Sequence, residues 1–539
     1  MPLFPLRARI ALTAWMILHG AVAGAESTAN AEPADFARQS QEFERRIAEL
    51  AAVDPLQPDT LDARLDYARL LHEASVEECL PYLDVAESQL AAVLRADPEA
   101  LLAWPDGPSD AMSLLQTIQN TRGQCADDAE VARAAFEASI VTGERAVAML
   151  RENWDFEEMA IAQFNVAFAR RELGDLDGAL RDLEQVLTWD QEFGFRDELE
   201  SDYSTLLRWE AGGAEPDPAD VERFVSAFNQ TKARFEFSWK PHQARWSTEV
   251  ERTNLKDGVF GEVSTRYQSQ VDVRRERDDW VLVTTINGVP KVEAAGSTGA
   301  AADAERWQGL IAGLTAALPE IVVGEDGSFK ELRNLEQHRA AMLQEVKRLI
   351  AESKPPDEAV RSDEAIDEFL GNVLNADLLT TMAAGQWDIA VGAWIGAEFD
   401  HGDWYSLTFE ESLPGFSDRP VSKTMTFKVS RWLPCAGDGV PNCVELLVRI
   451  VPDPEGISRA ATEFVTRVMP EASRAELEGA MRAVTYEFDL RYRLVTEPDT
   501  LRPWSIEERK FVYASSLEGG KRAVMARRDR TLETAQYAN

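Results

Sequence analysis

The spacing of apolar residues changes character near Phe235–His242, and this change divides the chain into two parts. Before it, apolar residues recur every three or four positions, as on one face of a helix. After it, apolar and polar residues alternate, as in a strand with one covered face. The pattern predicts an α+β protein. We expect residues 26–236 to form an all-α helical array, and residues 237–539 to form a domain with a curved antiparallel β-sheet packed with helices.

Strand-like alternation is plainest in Thr485–Tyr492 and in Lys423–Val429. Asn287-Gly288 and Asp326-Gly327 have the composition of hairpin turns, and the first lies directly between two apolar runs. Nine runs are predicted as strands: Trp246–Leu255, Val259–Val273, Trp280–Ile286, Ile321–Val323, Tyr405–Leu413, Lys423–Leu433, Val444–Ile450, Val484–Val495 and Lys510–Ser515.

Helical patterns interrupt these strands, and we expect the helices to cover the apolar face of the sheet. A curved sheet with helices on its inner face resembles, in outline, the half-barrel carriers of lipids or lipoproteins in the bacterial envelope. The predicted helices are Asp303–Leu318, Asn334–Ile350, Glu364–Ala384, Arg459–Val468 and Arg474–Ala483.

The most specific stretch of the first part is Ala160–Phe193, whose 34 residues read as two antiparallel helices. Gly174 is placed to end the first helix and Asp175 to cap the second. Ala167 and Ala179 are small enough to let the two helices approach closely. This stretch resembles a tetratricopeptide repeat (TPR), a unit that buries its apolar faces by stacking on neighbouring units.

A looser copy precedes this unit. Leu61–Ala68 resembles its first helix, and residues 86–98 resemble its second, with about six residues inserted between the two. Ala132–Leu150 and Val221–Phe235 are predicted as further helices. An ordinary helical bundle is the alternative to a TPR-like array.

The TPR resemblance implies a peptide- or protein-binding groove lined by the first helix of each unit. Asn165 occupies a position where peptide-binding relatives often keep an Asn that hydrogen-bonds a peptide backbone. Phe168 and Arg171 follow on the same helical face, and Arg171 suits recognition of a carboxylate. The alternative is that Asn165 is a solvated helix residue and Phe168 a core residue.

Net charge narrows the range of partners. The chain has a formal net charge of −38, which repels phosphate backbones, so nucleic acid is not an expected partner. Anionic membrane surfaces are disfavoured for the same reason. The acidic residues are scattered along the chain, as on a solvated surface.

The N-terminus has the pattern of a signal peptide over residues 1–25. Arg7 and Arg9 precede the apolar stretch Ile10–Leu18, and Ala23-Gly24-Ala25 supplies small residues for cleavage. An uncleaved anchor is the alternative. We therefore expect a periplasmic or secreted protein that does not span a membrane after cleavage.

The four cysteines fit an exported protein. Cys435 and Cys443 flank a short loop and are predicted to form a disulfide bond across it. Cys79 and Cys125 are predicted as a second pair, mainly on the basis of compartment.

Sequence motifs give no catalytic assignment and no cofactor. His338 lies on the inner stripe of a predicted helix and is expected in a core, whereas His401 lies between Asp400 and Asp403, where a turn is favoured over a metal site. Trp387, Trp394 and Trp404 are expected in the sheet core. The sequence thus favours a binding protein with a protein or peptide partner. A carrier of a hydrophobic ligand in the second domain and a hydrolase with unidentified carboxylates are the alternatives.

Overall fold

The computed structural model describes most of the chain and divides it into two compact units, residues 24–231 and residues 232–539. The described residues are 33–53, 58–76, 82–95, 105–227, 232–256, 259–295, 318–353, 375–413, 417, 419–435, 439, 441–468, 484–518 and 521–537. The predicted signal peptide lies outside them.

The first unit is built from helices in all of its described elements. Each helix packs against its neighbours in the chain, and the core of the first helices contains apolar residues such as Leu61, Leu71 and Leu90. The helices are α1 Pro33–Val53, α2 Pro58–Val76, α3 Leu83–Leu94, α4 Gly107–Cys125, α5 Ala129–Asn153, α6 Phe156–Glu172, α7 Leu176–Phe193, α8 Arg196–Glu210 and α9 Pro218–Ala227.

Alternate helices of this unit also contact one another. Helices α2, α4 and α6 touch in sequence, and the ring of Phe164 on α6 lies 6.3 Å from that of Trp209 on α8. The side-chain amides of Gln116 and Asn120 donate to the carbonyls of Ala162 and Asn165. The even-numbered helices from α2 to α8 therefore form one layer of a two-layer array.

The α6–α7 hairpin has the local structure that its sequence predicts. Gly174 has a left-handed backbone with φ of 84°, and its N–H donates to the carbonyl of Arg171 at the end of α6. The Asp175 carboxylate accepts from the N–H of Gly178 at 3.0 Å and caps α7. Ala167 and Ala179 are fully buried. The helix end and the cap are thus confirmed.

The second unit contains a large antiparallel sheet and three helices within the described residues. Its elements are β1 Lys232–Arg234, β2 His242–Lys256, β3 Val259–Glu276, β4 Asp279–Ala295, β5 Glu320–Val323, β6 Phe329–Arg333, α10 Leu335–Ser353, α11 Ala376–Ala390, β7 Glu398–Asp400, β8 Tyr405–Glu411, β9 Val421–Pro434, β10 Pro441–Pro452, α12 Pro454–Val468, β11 Val484–Thr496, β12 Pro503–Glu518 and β13 Lys521–Tyr537. The predicted α+β class is confirmed at this level.

Eleven strands pair in the order β6-β5-β4-β3-β2-β13-β12-β11-β10-β9-β8, all antiparallel, and β1 pairs separately with β7. One face of the large sheet carries Val448, Tyr492 and Leu494, and we call it the inner face. By register it also carries Trp246 and Leu282. These residues form a core with Trp387 of α11 and with Phe235.

Two local predictions are wrong. Asn287-Gly288 makes no hairpin turn, because β4 continues through it and accommodates it as a bulge against β3, with Gly288 at φ of 81°. The predicted helix Val221–Phe235 ends at Ala227 in the described residues, and Lys232–Arg234 form β1 instead. By contrast, Asp326 and Gly327 do connect β5 to β6.

Some of the other helices predicted in this unit lie within the described residues, and some lie outside them. Asn334–Ile350 and Arg459–Val468 are confirmed as α10 and α12. Of Glu364–Ala384, the described part begins at residue 375 and is helical from Ala376. Asp303–Leu318 and Arg474–Ala483 lie almost wholly outside the described residues. Among the described helices, none is long and apolar enough to cross a membrane.

Candidate functional site

Helix α11 is fixed against the core by one of its two faces. Leu379, Ala383 and Trp387 recur at four-residue spacing and are fully buried. The indole N–H of Trp387 donates to the carbonyl of Gly327 at 2.8 Å. At the start of the helix, the Asn375 side chain accepts from the N–H of Leu378. Since the helix is held on this face and at this end, its opposite face has a fixed position above the sheet.

A cavity of about 760 Å³ lies between this opposite face and the inner face of the sheet. Thr381, Gly385 and Ile389 line it from α11. Side chains of β8 to β12 line it from the sheet, among them Phe409, Met425, Ile450 and Leu490. Sites for small organic ligands measure roughly 300–1,000 Å³ and are mostly apolar, so this cavity has their size and character.

Gly385 is informative because neither backbone geometry nor packing requires a glycine there. It lies inside α11, and a Cβ added to it would meet the Glu411 carboxylate at 3.7 Å, an ordinary contact distance. A glycine in a helix interior costs roughly 0.5–1 kcal/mol relative to Ala. The missing side chain leaves its space to the cavity.

Polar groups lie at both ends of this cavity. Near β8, the Lys423 ammonium and the Glu411 carboxylate form an ion pair, and burial raises the pKa of Asp388 on α11. Near β12, the Lys510 ammonium lies 4.8 Å from the centre of the Phe488 ring. Glu508 lies two residues before Lys510 on the same face of β12; it is buried and also lines the cavity.

The inner face becomes charged beyond β12. Asp529 on β13 lies directly opposite Lys510 on one side and Arg252 of β2 on the other. Its carboxylate accepts from Nε of Arg252 at 3.0 Å and from Nε of Arg527 at 2.7 Å. Burial by itself would raise the pKa of Asp529, but the arginines outweigh it and lower that pKa to about 2. Burial lowers the pKa of Arg527 to about 10.

The three predicted groove residues all lie on α6. The Asn165 carbonyl accepts from Asn120, and the half-buried Phe168 packs edge-on against Phe136 at 6.2 Å between ring centres. The Arg171 guanidinium lies 5.2 Å from the centre of the Trp209 indole and pairs with Glu172 at 3.4 Å. The three residues therefore lie along one helix, and each of them contacts a different neighbouring residue.

Of the histidines and tryptophans named in the sequence analysis, four are buried and one is exposed. His338 is buried on α10, and the buried His401 ring places Nε2 3.0 Å from the Ser430 carbonyl oxygen. Trp387 and Trp394 are in the core as predicted. Trp404 is not, since 54% of it is exposed and Lys428 stacks on it at 4.6 Å.

One of the two predicted disulfide bonds is described in full. Cys435 and Cys443 are bonded, with their Cα atoms 5.1 Å apart, which confirms this pairing. Cys125 at the end of α4 is also disulfide-bonded. Its predicted partner, Cys79, lies outside the described residues.

The cavity could not be predicted from the sequence, because its walls come from residues 381–510 and no local motif marks them. The single signal in the sequence was Gly385 inside an apolar helical run. The lysines that line it stand in ordinary alternating strands.

Comparison with known proteins gives little further information. No family model and no curated protein matches this chain. Among solved structures, it is similar to one described as "lipid-protein interactions in lipovitellin", at 11% sequence identity and a TM-score of 0.27. That match covers 56% of this chain and 26% of the other chain.

Proposed function

We propose that the second unit binds an apolar ligand in the cavity between α11 and strands β8 to β12. The observation that carries this proposal is a cavity of about 760 Å³ lined by Phe409, Met425, Ile450 and Leu490. The apolar side chains that line it are accessible to water, and a bound apolar ligand would remove that surface from water. The role is that of a carrier or binding protein, with no reaction assigned.

The proposal also explains the glycine inside α11. Any larger residue at position 385 would project into the cavity, since a Cβ there has no neighbour closer than 3.7 Å. The helix thus gives up some stability where a side chain would compete with the ligand. Loss of packing for the sake of a binding site is common in proteins.

Fluorescence titration of the full chain tests the proposal, with N-phenyl-1-naphthylamine as a neutral apolar probe. Gly385→Phe places an aromatic ring in the cavity and should weaken probe binding at least tenfold. Gly385→Ala adds only a methyl group at the same position and should bind nearly as the wild type does. Absence of saturable binding to the wild type, or equal binding by Gly385→Phe, would show that the cavity is not the site.

We propose a second function for the helical array, the binding of a protein or peptide along the layer of α2, α4, α6 and α8. It is supported by the contacts between these alternate helices and by the TPR-like hairpin of α6 and α7. Asn165 and Arg171 are the residues proposed to contact the partner, with Phe168 between them.

A double variant, Asn165→Ala with Arg171→Ala, tests this second function in the full chain. Its matched control is Arg133→Ala, which removes an exposed arginine of α5 that pairs with Glu137 in the other layer. A partner captured by wild type and control, but not by the double variant, agrees with the proposal. Equal capture by all three, with unchanged helical content, excludes these residues.

We further propose that the protein works outside the cytosol, in the periplasm or as a secreted protein. The Cys435–Cys443 disulfide supports this, because such bonds persist in oxidising compartments. The signal-peptide pattern at residues 1–25 points the same way. N-terminal sequencing of the exported protein should begin at Glu26. A mature chain that still begins at Met1 would contradict export by cleavage.

A further inference from the structure

The cavity is not uniform along the sheet. One row of directly paired residues crosses it, with Leu407, Met425, Ile450 and Leu490 on β8 to β11 and then Lys510 on β12. All five line the cavity. Adjacent strands lie about 4.8 Å apart, so the row runs about 19 Å from β8 to β12. It begins at an apolar edge strand and ends at an ammonium group.

The same row continues beyond the cavity with Asp529 and Arg252. With their immediate neighbours Arg527 and Glu508, these residues comprise three cations and two carboxylates. Glu533 lies two alternations further along β13 on the same face. Asp529 is only 14% exposed and is already bonded by both arginines. Lys510, directly opposite Asp529 on β12, is the cation of this group that also lines the cavity.

The other end of the cavity has no excess of positive charge among its lining side chains. The Glu411–Lys423 pair is neutral as a whole, and Asp388 of α11 adds a carboxyl group. An anionic group is therefore favoured at the β12 end. The two ends thus give a bound ligand a single favoured orientation.

We propose that the ligand of this cavity is an amphiphile with one anionic head group, bound with its head at Lys510 and its acyl chain along Leu490, Ile450 and Met425. This proposal rests on the proposed function, since it assigns the chemistry of the ligand for that cavity. An apolar chain gains from burial against the β8 to β11 side chains. A carboxylate or phosphate head gains a charge-assisted hydrogen bond from the lysine.

The test compares ligands that share one chain but differ in the head. Binding of hexadecanoate, hexadecanoyl lysophosphatidate and neutral hexadecanol to the full-length protein is measured by displacement of N-phenyl-1-naphthylamine below micellar concentrations at pH 8. At least one of the two anions should bind about tenfold more tightly than the alcohol, equal to about 1.4 kcal/mol. The anion preferred shows whether the source is a free fatty acid or a phospholipid.

Variants then locate the head group. Lys510→Met keeps most of the side-chain volume and should abolish the preference for the anion, whereas Lys510→Arg should retain it. Lys423→Met makes the same change at the paired lysine of the cavity and should leave the preference in place.

The outcomes separate this inference from the proposed function. If the wild-type protein binds hexadecanol and the anions equally, the proposal of an apolar cavity stands. The proposal of an anionic head group is then overturned, whatever the variants do. A preference that survives in Lys510→Met overturns the assignment to Lys510. Wild-type protein that binds none of the three ligands overturns both proposals.

Discussion

Asp190 is a buried carboxyl group of the helical array, near the C-terminal end of α7. Its side chain is fully buried on α7. Burial raises its pKa, and the nearby carboxylates of Asp202 and Glu198 raise it further. Burial also raises the pKa of Asp202 on α8. The folded state therefore retains a proton between the two aspartates that the unfolded chain releases.

This proton predicts a pH dependence of stability. A raised carboxyl pKa in the folded state means that stability is lost as pH rises from the ordinary Asp value of about 3.9 toward the raised value. Asp190→Asn replaces the shared proton with an amide donor and removes this loss. In urea unfolding followed by circular dichroism, the variant should be more stable than wild type at pH 8, with a smaller difference at pH 5.

The control for this series is Asp197→Asn, an exposed aspartate in the first turn of α8. It should change stability little at either pH. A lower stability of Asp190→Asn than of wild type at pH 8 would contradict a protonated pair.

We predict that Asp529 stabilises the charged end of the inner face. Asp529→Asn leaves Arg252 and Arg527 without their shared counter-charge, and removal of one partner from a buried ion pair costs roughly 3–5 kcal/mol. Denaturant unfolding of the full chain should show a loss of this order. Asp278→Asn, in the exposed turn between β3 and β4, is the control. A change in the free energy of unfolding below about 0.5 kcal/mol for Asp529→Asn would contradict this prediction. It would mean that water replaces the carboxylate as the partner of the two arginines.

At the scale of elements, Gly385 lowers the stability of helix α11 at the point where the helix borders the cavity. Gly385→Ala supplies a better helix former at a place where a Cβ is sterically allowed. The free energy of unfolding should therefore rise by about 0.5–1 kcal/mol. Denaturation in urea, with and without the apolar probe, measures it. A destabilising effect would show that the glycine is required for packing and would remove one support for the cavity.

The loop between β9 and β10 gives a second prediction at this scale. The Cys435–Cys443 bond closes a short loop, and the chain-entropy account of disulfides gives about 2–3 kcal/mol of stabilisation for it. The double variant Cys435→Ala with Cys443→Ala should lose stability of this order in non-reducing buffer. Wild type under reducing conditions, which also open the disulfide of Cys125, should lose at least as much. Unchanged stability in both would show that the strands fix this loop without the bond.

Elements with strong local signals could be predicted from the sequence. Gly174 and Asp175 are an example, because a left-handed residue and a capping carboxylate act within a few residues of their own position. Strand β13 was missed because Lys521–Tyr537 is rich in charge. Two of its charged residues, Arg527 and Asp529, face the inner side and neutralise one another. Alternation of apolar and polar residues cannot reveal a strand whose inward positions are charged.

At the scale of the whole molecule, the two-part organisation could be predicted from the sequence, whereas the site could not. The change of period near Phe235 reflects a real change of architecture, since the contacts divide the chain between Thr231 and Lys232. The cavity depends instead on how far α11 stands from the sheet. That distance is set by tertiary contacts such as the bond from Trp387 to Gly327, which no local pattern encodes.

Photo-crosslinking shows whether an apolar ligand occupies the space between α11 and the sheet. The full-length protein is irradiated with a diazirine derivative of hexadecanol, and the labelled peptides are mapped by mass spectrometry. We expect labels on α11 and on β8 to β11, reduced in Gly385→Phe and retained in Gly385→Ala. Labels confined to the helical array, or the same labelling of Gly385→Phe as of wild type, would contradict it.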